Sequence, residues 1–250
     1  MRTKMSRWFS FACLVLLVFG CSPATRQPNE AGAHYMLGVS FLGEQNPTSA
    51  LREFLKAAEM APDRADIQQG LAQAYHRKHA YEDAETHYRR ALELAPDDPQ
   101  IENNLAALYL DMHRWDDAIR YFRKASHNLL FATPEIALTG IGFAQFQKGN
   151  YVDAIGAYQE AIKANPRYAQ GYFRLGQTYA AMDKTQLAVG EFQKALDLVP
   201  DYLPALYHLG LARMKLRQPQ AARQCFEEVL DLAPDSEYGR MSRDYLKLLK

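Results

Sequence analysis

From residue 31 onward the chain repeats one pattern of apolar, small and polar positions. Residues 65–98 place Leu71-Ala72, Tyr75, Ala84, Tyr88, Ala91 and Pro96, and residues 169–202 place Leu175-Gly176, Tyr179, Ala188, Phe192, Ala195 and Pro200 at the same offsets. Within each block the apolar positions recur at helical spacing in two runs, which predicts two antiparallel helices joined by a tight turn. Each place has a physical reason. The Gly or Ala after the Leu lets the first helix approach the second closely, and the two later alanines do the same on the second. The aromatic fills the space between one hairpin and the next. The closing Pro cannot continue a helix and restricts the residue before it.

Six such blocks follow one another, at 31–64, 65–98, 99–132, 135–168, 169–202 and 203–236. The first carries Leu37-Gly38, Phe41, Ala50, Phe54, Ala57 and Pro62, and the third Leu105-Ala106, Tyr109, Ala118, Phe122 and Ala125. The fourth carries Ile141-Gly142, Ala154, Tyr158, Ala161 and Pro166, and the sixth Leu209-Gly210, Ala222, Phe226 and Pro234. The unit resembles the 34-residue tetratricopeptide repeat (TPR). That resemblance implies an all-α fold: a right-handed superhelix of six helix-turn-helix repeats whose work is protein binding rather than catalysis. Such a repeat cannot bury its apolar face alone, so the ends need caps. Asp235-Ser236 can start a last helix, on which Tyr238, Met241, Tyr245 and Leu248 recur at helical spacing. Residues 237–250 are therefore expected to cap the sixth repeat.

The first twenty residues differ in kind. Arg2, Lys4 and Arg7 precede an apolar run from Trp8 to Phe19 broken only by Ser10. The run is too short to span a bilayer as a stable helix and has the flanks of a secretory signal peptide. It ends in Val18-Phe19-Gly20-Cys21, which resembles a bacterial lipoprotein processing site, where the cysteine becomes lipidated and N-terminal. The same run also fits an ordinary cleaved signal or an uncleaved anchor. Ser22 after the cysteine resembles an outer-membrane address in the enterobacterial sorting rule, which implies a lipid-anchored protein on the periplasmic face of the outer membrane. Residues 21–30, with Ser, Thr, Asn and two prolines, read as a tether.

Charge and chemistry change this picture little. Lys and Arg number 29, as do Asp and Glu, and no long basic run exists. The electrostatic footprint of a nucleic-acid binder is missing. With Cys13 in the signal and Cys21 lipidated, Cys225 is left alone, so no disulfide framework is expected, and Cys225 reads as a small apolar filler. His76, His79 and His87 lack the further ligands a metal site needs. Asp97-Asp98 and Asp116-Asp117 lie at helix starts, where negative charge suits the dipole. No catalytic, metal or cofactor site is expected.

The TPR resemblance also implies which residues line the inner surface. Those places hold Tyr35, Val39 and Leu42 in the first repeat and Asp66, Gln69, Gln73, His76 and Arg77 in the second. The third and fourth supply Gln100, Asn103, Asp111, Ile136, Phe143 and Phe146. The last two supply Phe173, Gln177, Tyr207, Leu211 and Met214. This predicts a groove polar in the middle and apolar towards both ends, open to an apolar or extended peptide. Packing against neighbouring helices or the cap is the competing role for its aromatics. The Lys/Asn/Arg clamp by which some TPR domains hold a terminal carboxylate would need basic residues where Asn103, Ile136 and Gly140 stand.

The third-to-fourth junction is more particular. It runs from Ile101-Glu102-Asn103-Asn104-Leu105 through Trp115-Asp116-Asp117-Ala118 to Ala125-Ser126-His127-Asn128, with Leu130 in place of the closing Pro and Thr133-Pro134 added. Together with the lipid cysteine, six units and a final helix, it is similar to the type IV pilus biogenesis and stability lipoproteins, the PilF/PilW family. That resemblance implies a pilotin: an outer-membrane lipoprotein that helps a secretin localise and form its ring. An envelope adaptor recruiting cell-wall enzymes or another secretion complex is the alternative expectation.

Overall fold

The computed structural model describes residues 30–249, and among them thirteen α-helices and no strand. They form six hairpins: α1 (Glu30–Gly43) with α2 (Pro47–Met60), α3 (Ala65–Arg77) with α4 (Tyr81–Leu94), α5 (Pro99–Asp111) with α6 (Trp115–His127), α7 (Pro134–Gln147) with α8 (Tyr151–Ala164), α9 (Ala169–Ala181) with α10 (Thr185–Leu198), and α11 (Leu203–Lys215) with α12 (Pro219–Leu232). A last helix, α13 (Glu237–Leu248), follows. Glu30, assigned to the tether by sequence, is already helical. The remaining tether, the apolar run and Cys21 lie outside the described residues.

The hairpin turn is the same in all six repeats. One residue sits in the left-handed region: Gln45, His79, His113, Gly149, Asp183 and Arg217, with φ between 57° and 78°. The N–H of the next residue then closes back on a carbonyl five residues earlier, as in Asn46 to Phe41 at 2.8 Å and Gln218 to Arg213 at 3.0 Å. This satisfies carbonyls that the helix end would leave free. Helix starts use local chemistry where the sequence offers it. Asp98 Oδ1 accepts from the N–H of Gln100 and Ile101, and Ser236 Oγ from that of Gly239. Pro occupies the first turn of α2, α5, α7, α11 and α12, where its missing N–H has no partner to lose.

The core is a row of buried rings, one per second helix: Phe54, Tyr88, Phe122, Tyr158, Phe192 and Phe226. Small residues admit them. A Cβ on Gly142 would lie 2.5 Å from the Tyr158 ring, and one on Gly210 would lie 2.7 Å from Phe226. At the irregular junction Phe131, rather than Leu130, is buried in the core; Leu130 and Leu129 stand in solvent. The Asn128 side chain ties the loop, accepting from Leu130 N–H and donating to the Asp97 carbonyl.

Each first helix of a hairpin packs against the next first helix, whereas no second helix of a hairpin approaches another. The stack therefore curves towards α1, α3, α5, α7, α9 and α11, whose outer faces line the concave side. The two ends differ. Tyr238, Met241 and Tyr245 of α13 cover the last hairpin, joined by Leu246 and Leu249; Leu248, expected among them, is 74% exposed because its place faces away from α11 and α12. On α1, Met36, Leu37 and Val39 are exposed at 65%, 49% and 42%. Leu71, Leu105, Leu175 and Leu209, which match Leu37 in later repeats, are buried against the preceding hairpin.

Candidate functional site

The concave face holds two recesses, each between successive first helices. The first, about 450 Å³, lies between α3 and α5 and is lined by Gln73, His76, Arg77, Gln100, Asn104 and Asp111. It is polar and internally paired: His76 Nε2 and Asp111 Oδ2 are 2.7 Å apart, and Gln100 Nε2 donates to Asn104 Oδ1 at 3.2 Å. Gln69 lies beside this section, half-buried.

The second recess, about 300 Å³, is formed by α5, α7 and the start of α9. Asn103, Ile136, Phe143, Tyr168, Gln170 and Arg174 line it. Its polar groups are incompletely paired. Asn103 is 9% exposed, and its shielded Oδ1 meets no donor. Arg174 Nη1 donates to Gln177 Oε1 at 3.1 Å, but its buried Nε–H meets no acceptor. The guanidinium lies 5.2 Å from the Phe143 ring centre and 5.8 Å from that of Phe173. No ion pair joins it to a carboxylate among the described residues. Its charge is felt around it. Burial, then Arg174, hold the His208 imidazole below its ordinary pKa. Burial raises the Tyr168 hydroxyl, against which the Thr139 hydroxyl and Arg174 act.

The sequence-predicted groove residues thus fall into groups. Asn103 and Phe143 share the second recess, and Gln177 orients its arginine. Gln73 lines the first. Tyr35 is half-buried on Phe54, and Val39 is exposed on α1. Five assignments are corrected to packing or near-packing roles. Leu42 is buried with Phe54 and Leu71. Phe173 is 5% exposed, in ring contact with Phe192, Tyr202 and His208. Tyr207 is 7% exposed beneath Tyr238 and Tyr245 of the cap. Phe146 and Leu211 are half-buried against the hydrophobic core. The following hairpin covers Leu42 and Phe173, and the cap covers Tyr207.

Arg174 escaped the sequence reading because it stands one place beyond the inner-surface position of its repeat. Met36, Gly70, Asn104, Gly140 and His208 hold that place elsewhere. A lone fixed cation among them was the available signal. Elsewhere, Cys225 is buried beside Arg213, and burial pushes its thiol up. Among the described residues no group of three or more His, Cys, Asp or Glu side chains is placed to hold a metal ion, and no helix is long and apolar enough to cross a membrane.

Comparison with known proteins agrees with this architecture. Models of the tetratricopeptide repeat match residues 27–99, 77–129, 169–202 and 204–236, and a TPR repeat model matches 142–183. No curated protein matches the chain in sequence. Among solved structures, PilW, a widely conserved type IV pilus biogenesis factor, is 21% identical with a TM-score of 0.76, over 84% of this chain and 97% of that one. PilF of Pseudomonas aeruginosa is 17% identical with a TM-score of 0.72, over 86% and 97%. YrrB, a TPR protein with an unusual peptide-binding site, is 19% identical with a TM-score of 0.54, over 76% and 97%. At these identities the likeness establishes the fold.

Proposed function

We propose that this chain of tetratricopeptide repeats is a membrane-anchored scaffold that holds a protein partner in its concave groove and aids secretin assembly in type IV pilus biogenesis. The observation that carries the reading is the near end-to-end overlap with the PilW and PilF structures. The lipoprotein-like Val18-Phe19-Gly20-Cys21 adds to it. Lipid on Cys21, with a second acyl chain for firm anchoring, tethers the first repeat near the periplasmic face of the outer membrane. The protein performs no chemistry; it offers shape, a polar stretch and an apolar stretch.

The test is the amount of SDS-resistant secretin multimer in outer membranes with and without this gene. Loss of multimer with accumulation of monomer supports the secretin role. Unchanged multimer moves the scaffold to another envelope machine, such as one recruiting cell-wall enzymes, whose members in-membrane crosslinking would identify. Labelled palmitate incorporated by the wild type but not by Cys21→Ala tests the anchor separately.

A further inference from the structure

Each hairpin runs out along its first helix and back along its second. The start of α1 and the loops between hairpins therefore share one edge of the stack, and the six turns within hairpins share the other. On the first edge, five loops carry a proline followed by a charged residue: Pro62-Asp63, Pro96-Asp97, Pro166-Arg167, Pro200-Asp201 and Pro234-Asp235. The loop between α6 and α7 has Leu130-Phe131 at those places, preceded by Leu129. Phe131 is buried, while Leu129 and Leu130 are 100% and 88% exposed. The loop holds them in that pose. Asn128 Oδ1 accepts from the Leu130 N–H at 2.9 Å, the Asn128 carbonyl accepts from the Phe131 N–H at 3.0 Å, and Asn128 Nδ2 donates to the Asp97 carbonyl at 3.1 Å. A scattered surface leucine is ordinary; two adjacent ones held out on a braced loop form an apolar knob.

Charge beside the knob departs from the repeat as well. Arg167 stands where four other loops have aspartate, and Lys163 is exposed in the last turn of α8. Neither makes an ion pair among the described residues, whereas Lys148, Lys194 and Lys215 each hold a carboxylate. The nearby Glu135 accepts from Asn165 Nδ2 at 3.0 Å. The chain before α1 adds a direction. Glu30 lies on this edge, and the nine residues 21–29 reach at most about 30–32 Å when extended. The far edge stands off by a further helix length, about 20 Å. We infer that this edge docks on the bilayer to which the chain is anchored: Leu129 and Leu130 enter the boundary between headgroups and acyl chains, and Lys163 and Arg167 meet lipid phosphates beside them. Short apolar insertions and neighbouring cations both add to membrane affinity, and long basic side chains can reach a phosphate while their stems lie over apolar ground. The aspartates of the flanking loops favour contact by this section rather than by the whole edge. A lipid at one end leaves the solenoid free to swing; a second contact three hairpins along lays it on the membrane. The inference rests on the lipid-anchor reading above and adds an orientation to it.

Quenching of tryptophan by brominated lipid tests it on the lipidated chain, purified from membranes and reconstituted into vesicles of phosphatidylcholine and phosphatidylglycerol. Trp115 is the single tryptophan of residues 21–250 and starts α6 on the far edge, so its emission should be the same in brominated and plain vesicles. Leu130→Trp should lose roughly half of its added emission in brominated vesicles, since a depth of about 5–10 Å brings the indole to the brominated chains. Adding Leu129→Asp, or Lys163→Glu with Arg167→Glu, should restore that emission. All four positions are exposed, so packing is not at stake. Lys184→Trp, on the far edge, should stay bright. Equal emission of Leu130→Trp in the two kinds of vesicle overturns the inference and leaves the leucine pair to a protein partner. Equal quenching at Leu130→Trp and Lys184→Trp, or quenching that persists with Leu129→Asp, overturns it too. Protein that does not float with the vesicles in a density gradient counts against the lipid anchor instead. Coupling Cys21 to a maleimide-bearing lipid then supplies the tether, and the same quenching decides the docking.

Discussion

Gly176 faces the ring of Phe192 so closely that a Cβ added to it would lie 2.7 Å from the ring. The contact joins α9 to α10, and Gly38 with Phe54 and Gly210 with Phe226 repeat it. Enlarging Gly176 to Leu should force the hairpin apart and cost about 1–3 kcal/mol. Urea unfolding of the variant checks this. An unchanged midpoint would show that α9 and α10 slide apart freely, against the packing described.

Phe173 and Phe143 should respond differently to charge. Phe173 is enclosed by Phe192, Tyr202 and His208, so Phe173→Asp buries an unpaired carboxylate and should lose roughly 3 kcal/mol or more. Phe143 is only half-buried over the recess. Phe143→Asp should keep its helix content and offer Arg174 an ion-pair partner within the chain. Circular dichroism melts of the two variants separate these outcomes.

Five of the six hairpin turns place a non-glycine residue at positive φ, at a cost of about 1–2 kcal/mol relative to glycine, partly offset by the greater freedom of glycine in the unfolded chain. Arg217→Gly should therefore stabilise by about 0.5 kcal/mol, and Gly149→Ala should destabilise by about 1 kcal/mol. Thermal melts of the two variants should shift in opposite directions.

His208 and His87 set an acid limit. Burial lowers both imidazole pKa values, with Arg174 adding to the effect at His208. The unfolded chain takes up these protons near pH 6.5, and the folded chain only at lower pH. The stability they leave intact above that value is lost as pH falls below it. Histidine NMR titration should find His208 below the ordinary value, and Arg174→Gln should move it upward. No movement would place the guanidinium farther from His208 than the structure has it.

Removing residues 237–250 should uncover Tyr207 and Phe226, against which Tyr245 lies with its ring 5.2 Å from that of Phe226. A loss of roughly 3–5 kcal/mol is expected from the apolar area exposed. It should appear as early melting of α11 and α12 in hydrogen exchange.

The repeat was legible because close packing leaves little choice. Six rings, six small partners and a recurring turn fall at matched places in the sequence, so the hairpins could be drawn from spacing alone. The groove was less legible. Which face of a first helix stays open depends on how far the next hairpin leans over it, a property of curvature. Phe173 and Tyr207 are therefore closed over, while Phe143 on the neighbouring helix keeps an open side. Arg174 illustrates the reverse case. Its setting is marked by what fails to pair with it, and missing partners are visible only when all the neighbours have positions. The exposed Leu37 was likewise hidden by its match to the repeat, since the spacing does not reveal that no hairpin precedes it among the described residues.

The bare face of α1 gives the molecule a mechanical direction. A stacked solenoid holds each hairpin by its two neighbours, and the first hairpin has one neighbour and no covering helix among the described residues, whereas the last is clasped by α13. In the anchored state proposed above, tension arriving through the residues before Glu30 acts first on the least supported hairpin. Under such load that hairpin should peel away alone and add its length to the connection, while α3 to α13, with both recesses intact, keep hold of whatever they have bound.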